Sequence, residues 1–467
     1  LTLHVSETPL KRKIDLTEGS ILKKILIVAV PTLLTSLMQM TYNLVDIFFV
    51  SRVDRIGLDP TEAVAGVGTA AFYTWFGMGV MLIVKIGVSV YVSQAAGRND
   101  KEAVDSHLSN GLLVMVLLAL FYSLAGYFFR SEFVGIFNIE NTRVVGHAED
   151  YLAIVSMFMV FIFVANVFNG VYDGLGKTIN TFYIMAAGLL LNIVLDPLLI
   201  LWAGLGVQGA AIATVIAQGF TVLVYLFVYA SQRRPAVLAP IRHFSPSTMK
   251  RIVILGLPVG IQSMAMATIS IIVGIFVASF GEAAISVSRI GSQIEALSWM
   301  IALGFQVAIS AFVGQNYGAM KIGRIKQGYL SSMRLLVPYG ITVSLVLFFF
   351  AEPLFALFID EEPTLAFGAE YLRIISISQL FMILELVTAG AFNGLGKTVA
   401  PSGVGIVGNI MRIPFAYGAA TMAGIWWTLS ATSVFKGLAL VLLFVVFFSR
   451  LSARHRERVA LENYRAL

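Results

Sequence analysis

The chain contains no cysteine. Disulfides, thiolate chemistry and cysteine-ligated metals are therefore excluded. Charge is scarce: only 12% of residues are Asp, Glu, Lys or Arg, about half the share of a soluble domain. The histidines are His4, His107, His147, His243 and His455, all in tails, loops or span ends. Intramembrane histidine relays and His-Glu-x-x-His metal sites are thus missing. No alternating apolar and polar segments of about ten residues occur, which argues against a β-barrel. The polar stretch up to Ser20 lacks the apolar core and cleavage site of a signal peptide and reads as a cytoplasmic tail.

What is present is apolar. Hydrophobic residues make up 58% of the chain, and mean hydropathy is +0.86. Apolar runs of about 20 residues recur along nearly the whole length, so the expected fold class is an all-α polytopic membrane protein. Twelve spans are expected, near 22–51, 61–96, 103–129, 149–172, 179–201, 208–231, 249–280, 282–316, 327–351, 366–391, 400–423 and 426–450. Basic residues cluster at alternate turns: Lys11 to Lys13, Lys23 and Lys24 before span 1, Arg98 and Lys101, Lys177, Arg233 to Arg251, Lys321 to Lys326, Lys397, and Arg450 to Arg458. The other turns are poorer in positive charge and include Asp360-Glu361-Glu362. The positive-inside rule puts both termini in the cytoplasm, as an even span count requires, and an inner-membrane, multi-pass location follows. The net charge of +6 is then a topology signal and not a nucleic-acid footprint. The polar linker near 232–248 divides two six-helix lobes, 21–231 and 249–450, with tails at 1–20 and 451–467.

The lobes repeat one another. Asp173-Gly174-Leu175-Gly176-Lys177-Thr178 returns as Asn393-Gly394-Leu395-Gly396-Lys397-Thr398, and Val92-Ser93-Gln94-Ala95-Ala96-Gly97 returns as Val313-Gly314-Gln315-Asn316-Tyr317-Gly318. Gly256-Leu257-Pro258 answers Ala29-Val30-Pro31. Both lobes start on the same side, so a pseudo-two-fold axis along the membrane normal and a central cavity are expected. The acids do not repeat: Asp46 aligns with Val273 and Asp196 with Ile413. Intramembrane acids are costly and usually functional, so a duplicated bundle with acids in one half reads as an ion-coupled transporter. The plain alternative is that Asp46 only caps the outer end of span 1.

Depth follows from helical rise. Asp46 lies 22 positions beyond Lys24 and Asp196 lies 19 beyond Lys177, which is about 33 Å and about 28 Å of helix. Both acids fall in the outer half at similar depth. Asn192 is one turn before Asp196 on the same helical face. Carboxylate, amide and hydroxyl oxygens suit a hard monovalent cation, and they suit protons equally. Two neighbouring carboxylates in low dielectric cannot both stay ionised cheaply.

The motifs around Pro31, Asp46, Val92 to Gly97, Gly174 to Thr178 and Phe312 to Asn316 together resemble the multidrug and toxic compound extrusion (MATE) family, over essentially both lobes. Asp46 with Asn192 and Asp196 resembles its prokaryotic DinF-like branch. The resemblance implies a V-shaped pair of six-helix bundles that exports amphipathic, often cationic, small molecules against a proton or sodium gradient. It implies an ion site at Asp46, Asn192, Asp196 and Thr214, with Na+ a candidate at the first three. It implies a substrate cavity near Gln39, Asn43, Tyr151, Asn166, Asn169 and Met38, and Pro31 as a conformational element. The NorM-like branch places acids in spans 7 and 10, where this chain has Met266 and Met382. No cofactor is expected. Membrane lipid is the surrounding partner, and a monomer is expected.

Other ionisable residues invite plainer readings. Glu385 lies 12 positions before Lys397 and Arg412 lies 15 beyond it. Matched depth predicts a Glu385–Arg412 ion pair that fixes packing, with a second proton site as the alternative. Glu295 suits either the cavity mouth or a polar contact within its lobe, and Arg289 is a further ionisable residue of the second-lobe spans. Lys85 suits a salt bridge in the first lobe or snorkelling. Methionines pair at Met38 and Met40, Met157 and Met159, and Met264 and Met266. They suit a cavity that accepts many shapes, though each alone is ordinary filler. Gly-Leu-Gly-Lys-Thr fails as a phosphate loop, because Val171 and Ala391 stand where the first glycine is required and no strand precedes either copy. Both copies read as cytoplasmic turns.

The leading function is a secondary antiporter. A flippase or exporter of a lipid-linked or dedicated natural-product cargo on the same fold is the alternative, and it is disfavoured by the few basic residues within the spans. An integral membrane enzyme would need Asp-rich metal motifs or a histidine acid–base pair, and neither is present.

Overall fold

Helix starts are written locally. Asp59 accepts the amides of Thr61 and Glu62 ahead of Pro60, and Ser245 accepts that of Thr248 ahead of Pro246. Asp100 and Asn141 cap two more helices in the same way. Such side chains satisfy amides that a helix leaves unpaired, and proline is tolerated in the first turn because its missing donor is not needed there. At Asp59 the amides of Glu62 and Thr61 hold the carboxyl below the usual carboxylate range.

The computed structural model describes residues 15–231, 243–359 and 361–466, apart from the side chains of Asn43 and 458–466. The orienting residues Lys11 to Lys13, Arg233, Arg234 and Arg242, together with Asp360, lie outside the described residues. Every regular element among the described residues is helical. The spans are Ile21–Val50, Pro60–Gly97, Lys101–Phe128, a bent fourth, Thr178–Asp196, Gly206–Ser231, Pro246–Ala278, Glu282–Gly318, Ile322–Phe349, Thr364–Gly394, a broken eleventh, and Met422–Ala466. Ten of these are each long and apolar enough to cross a membrane. Span 4 is Thr142–Met157 and Met159–Gly174, bent by 52° at Phe158. Span 11 is two short pieces, Val399–Ile410 and Arg412–Tyr417.

Proline explains the irregular middles of spans 5 and 11. Pro414 cannot donate to the Ile410 carbonyl, and the helix breaks at Met411. At the equivalent place Pro197 opens a π-helical turn, Pro197–Trp202, in which Ala203 donates to Leu198 at 2.8 Å. Asp196 stands at that junction.

Four apolar clusters form among the described residues, and the two largest do not divide at the linker. One core takes spans 2 to 6 and also Ile252 of span 7. The other takes spans 8, 9, 10 and 12 and also Ile25, Val28 and Ala29 of span 1. The inner halves of spans 1 and 7 thus pack against the opposite lobe. The turns rich in lysine and arginine share the end of the bundle where this exchange occurs, called the basic end below.

Small residues permit the exchange. A Cβ on Gly256 would overlap the Ile83 carbonyl, and one on Gly87 would overlap that of Ile252. On the same two spans, Gly68 and Gly274 near the other end face open space. The lobes therefore touch at the basic end and part towards the opposite end.

Candidate functional site

Span 1 runs past spans 5 and 6 and carries Asp46 into the first lobe. Asp46 and Asp196 are buried, and Asn192 is fully buried. Thr214 Oγ1 donates to Asp46 Oδ2 at 3.3 Å, and Asn192 Nδ2 donates to Asp196 Oδ1 at 3.1 Å. The two carboxylates lie within hydrogen-bonding reach of each other. Tyr151 of span 4 is buried beside Thr214. The helices thus bring Asp46, Asn192, Asp196, Thr214 and Tyr151 into one cluster.

Four polar atoms in this cluster have no protein partner: Asp46 Oδ1, Asp196 Oδ2, Asn192 Oδ1 and the Tyr42 hydroxyl. Unsatisfied buried oxygens are expensive. These four oxygens, one from each of two carboxylates, match a shared proton or a monovalent cation, so the residues fit either ion. Tyr42 was not expected from the sequence, although its position one turn before Asp46 was a usable signal.

The other expected cavity residues lie elsewhere. Asn169 accepts a hydrogen bond from Tyr225 and is buried. Asn166 donates to the Ile162 carbonyl and to Met81 Sδ. Both stand beyond the bend of span 4 from Tyr151, nearer the basic end. Gln39 is exposed and Met38 half-buried on span 1, while the Asn43 side chain lies outside the described residues. Pro31 sits inside an unbroken helix, with Thr35 donating to its carbonyl at 2.9 Å. Lys85 is 3.6 Å from Asp173, which makes it a salt-bridge partner between spans 2 and 4.

The second lobe is also charged inside, but its charges are internally matched. Here the expected Glu385–Arg412 pair is corrected. Glu385 pairs with Lys436 of span 12 at 3.1 Å. Arg412 donates to the Thr432 and Ser433 hydroxyls, each at 3.0 Å. The reason is packing order: span 12 lies between spans 10 and 11 and intercepts both. Depth along each helix was matched, but lateral neighbours were not legible. Glu295 accepts from Gln379 at 2.9 Å and from Tyr371 at 3.3 Å, a contact within its own lobe.

The MatE family model matches residues 31–198 and 258–418, which is both repeats and most of the chain. The chain belongs to the MatE family. It resembles the probable multidrug resistance protein NorM of Thermotoga maritima, 25% identical over 95% of this chain and 95% of that protein. It superposes on a MATE structure in the bent conformation with TM-score 0.87 at 23% identity, covering 95% of this chain and 99% of the other. An outward-facing conformation of a multidrug resistance MATE family transporter of the MOP superfamily gives TM-score 0.85 over the same shares, at 23% identity. This MatE chain is a multi-pass membrane transporter of the twelve-helix fold and not an enzyme.

Proposed function

We propose that this MatE protein is a secondary efflux antiporter for amphipathic, often cationic, small molecules, driven by proton or sodium influx. The observation that carries the reading is the Asp46–Asp196 pair with its unpartnered oxygens. Among the described residues of the second lobe no buried carboxylate oxygen is left unpartnered: Glu385 pairs with Lys436, and Glu295 accepts from Gln379 and Tyr371. In this reading the branch is the DinF-like one and the basic end faces the cytoplasm. The cleft between the lobes then opens outward.

A proton or sodium ion bound between Asp46 and Asp196 screens their repulsion and lets span 1 draw towards span 5. Pro31, which leaves one carbonyl of span 1 without its helical donor, is where that helix can bend. Bending narrows the cavity beside the exposed Gln39 of span 1 and expels substrate outward. Release of the ion restores charge to both acids and resets the helix. The similarity to the probable multidrug resistance protein of Thermotoga maritima supports a multidrug cargo.

The test is dye efflux from everted vesicles under imposed gradients. Accumulation of dye driven by a proton or a sodium gradient, and by one more than the other, is the expected result and names the ion. Gradient-independent movement sinks the proposal.

A further inference from the structure

The duplicated motifs at the basic end have no part in the ion site, yet they meet there. Gln94 Nε2 of span 2 donates to the Gly394 carbonyl at the end of span 10, at 3.0 Å. Gln315 Nε2 of span 8 donates to the Gly174 carbonyl at the end of span 4, also at 3.0 Å. The two bonds are the same bond seen through the pseudo-two-fold, and both cross between lobes. Each glutamine serves a carbonyl in the last turn of a helix, where no helical amide is left to bind it. Two further bonds obey the same symmetry. Thr178 donates to the Val28 carbonyl at 2.9 Å, and Thr398 donates to that of Leu255 at 2.6 Å. They tie each turn to the swapped inner half of span 1 or span 7.

Glycine makes the reach possible. A Cβ on Gly97 would overlap the backbone of Gln315, and one on Gly318 would overlap that of Gln94. Spans 2 and 8 therefore touch backbone to backbone, one turn from each glutamine. The turns themselves hold left-handed glycines, Gly176 at φ +69° and Gly396 at φ +72°, a conformation side chains resist.

One half carries an addition. The segment before span 1 is folded under this seam, and Leu16 is fully buried. Leu16 N–H donates to Gln315 Oε1 at 3.2 Å, and Asn316 Nδ2 donates to the Leu16 carbonyl at 3.2 Å. Arg324 donates to the Gly19 carbonyl at 2.8 Å, and Lys321 to that of Thr17 at 3.1 Å. Leu16 also lies against Gly176 of the opposite lobe. Asn316 is Ala95 in the first repeat, which has no amide to offer, so the strap fits only one side.

We propose that Gln94 and Gln315 are the paired latch of the cytoplasmic gate, and that the strap Asp15–Ser20 locks the Gln315 half. The orientation rests on the proposed transport reading. Separation of the lobes breaks both glutamine bonds at once and releases the strap, while water at that face takes over the freed groups. A hydrogen bond exchanged with water has a small net value, which suits a gate that must open in every cycle.

The chain has no cysteine, so paired spin labels can be placed at will. The exposed sites Lys101 and Gly323 flank the seam from opposite lobes. In full-length Lys101→Cys/Gly323→Cys protein in lipid nanodiscs, the label distance reads closure without any gradient. Gln94→Leu and Gln315→Leu should each raise the separated-to-closed ratio about five-fold, and the double variant about twenty-five-fold. Should the leucine variants misfold, Gln94→Asn/Gln315→Asn keeps the amides but shortens their reach, and the same shift is expected. Asn316→Ala should produce a smaller increase by freeing the strap alone. A wild-type distribution in a folded double variant overturns the latch, and one in Asn316→Ala overturns the strap's role. If vesicles show no ion-driven efflux while the distances still respond, the transport reading fails and the latch stands. If efflux is intact and the distances are unmoved, the latch alone fails.

Discussion

Lys436 and Glu385 face each other at 3.1 Å between spans 12 and 10, in the interior of the second lobe. Removal of one partner from such a pair leaves a bare charge in low dielectric, whereas removal of both leaves none. Glu385→Gln or Lys436→Met alone should therefore cost about 3 kcal/mol or more. The double variant should recover most of that loss. Thermal unfolding in detergent checks it, and a double variant no better than the worse single one would show that the pair is energetically idle.

Asp46→Asn should abolish gradient-driven efflux while leaving expression and the fold intact. Asparagine keeps the shape and loses the charge that binds the ion. Asp196→Asn should do the same, and the double variant should be no worse than either single one because the acids act as a unit. Wild-type efflux rates in Asp46→Asn would remove this carboxylate from the mechanism.

Ion and substrate should compete. Raising sodium or lowering pH should weaken dye binding to the wild type, as measured by fluorescence polarisation, and Asp46→Asn should abolish the response. A response that survives loss of both Asp46 and Asp196 but vanishes in Glu295→Gln or Glu385→Gln would relocate the coupling site to the second lobe.

Gly256→Ala should destabilise the seam, because the added methyl group meets the Ile83 carbonyl. Forced overpacking of this kind typically costs about 1–3 kcal/mol. Gly68→Ala, with open space around it, should be neutral or gain up to about 1 kcal/mol of helix propensity. Thermal unfolding of the two variants gives the contrast directly. Equal midpoints would mean that spans 2 and 7 do not need their close approach.

The polar cluster around Asp46 and Asp196 was legible in part because its members sit on short helical spacings. Asn192 and Asp196 are one turn apart, and Asp46 stood out as an acid with no counterpart in the second repeat. Tyr42 was equally legible by spacing but carried no charge to draw attention. Asn166 and Asn169 were grouped with Tyr151 because they share span 4. The bend at Phe158 separates them, and no proline announces it.

By itself, the sequence determined the all-helical membrane architecture, the number of spans, their internal duplication and the confinement of Asp46 and Asp196 to one half. These follow from hydropathy, from helical rise and from alignment of one half on the other, all of which are properties read along a single strand. Only the tertiary structure decided which helices are lateral neighbours. It placed span 12 between Glu385 and Arg412, exchanged the inner halves of spans 1 and 7 between lobes, and set Gln94 and Gln315 against carbonyls 300 and 141 residues away. Neighbourhood across a bundle depends on how ridges, glycines and bends fit side by side, and rise per residue measures depth along a helix but not its rotation or its partners.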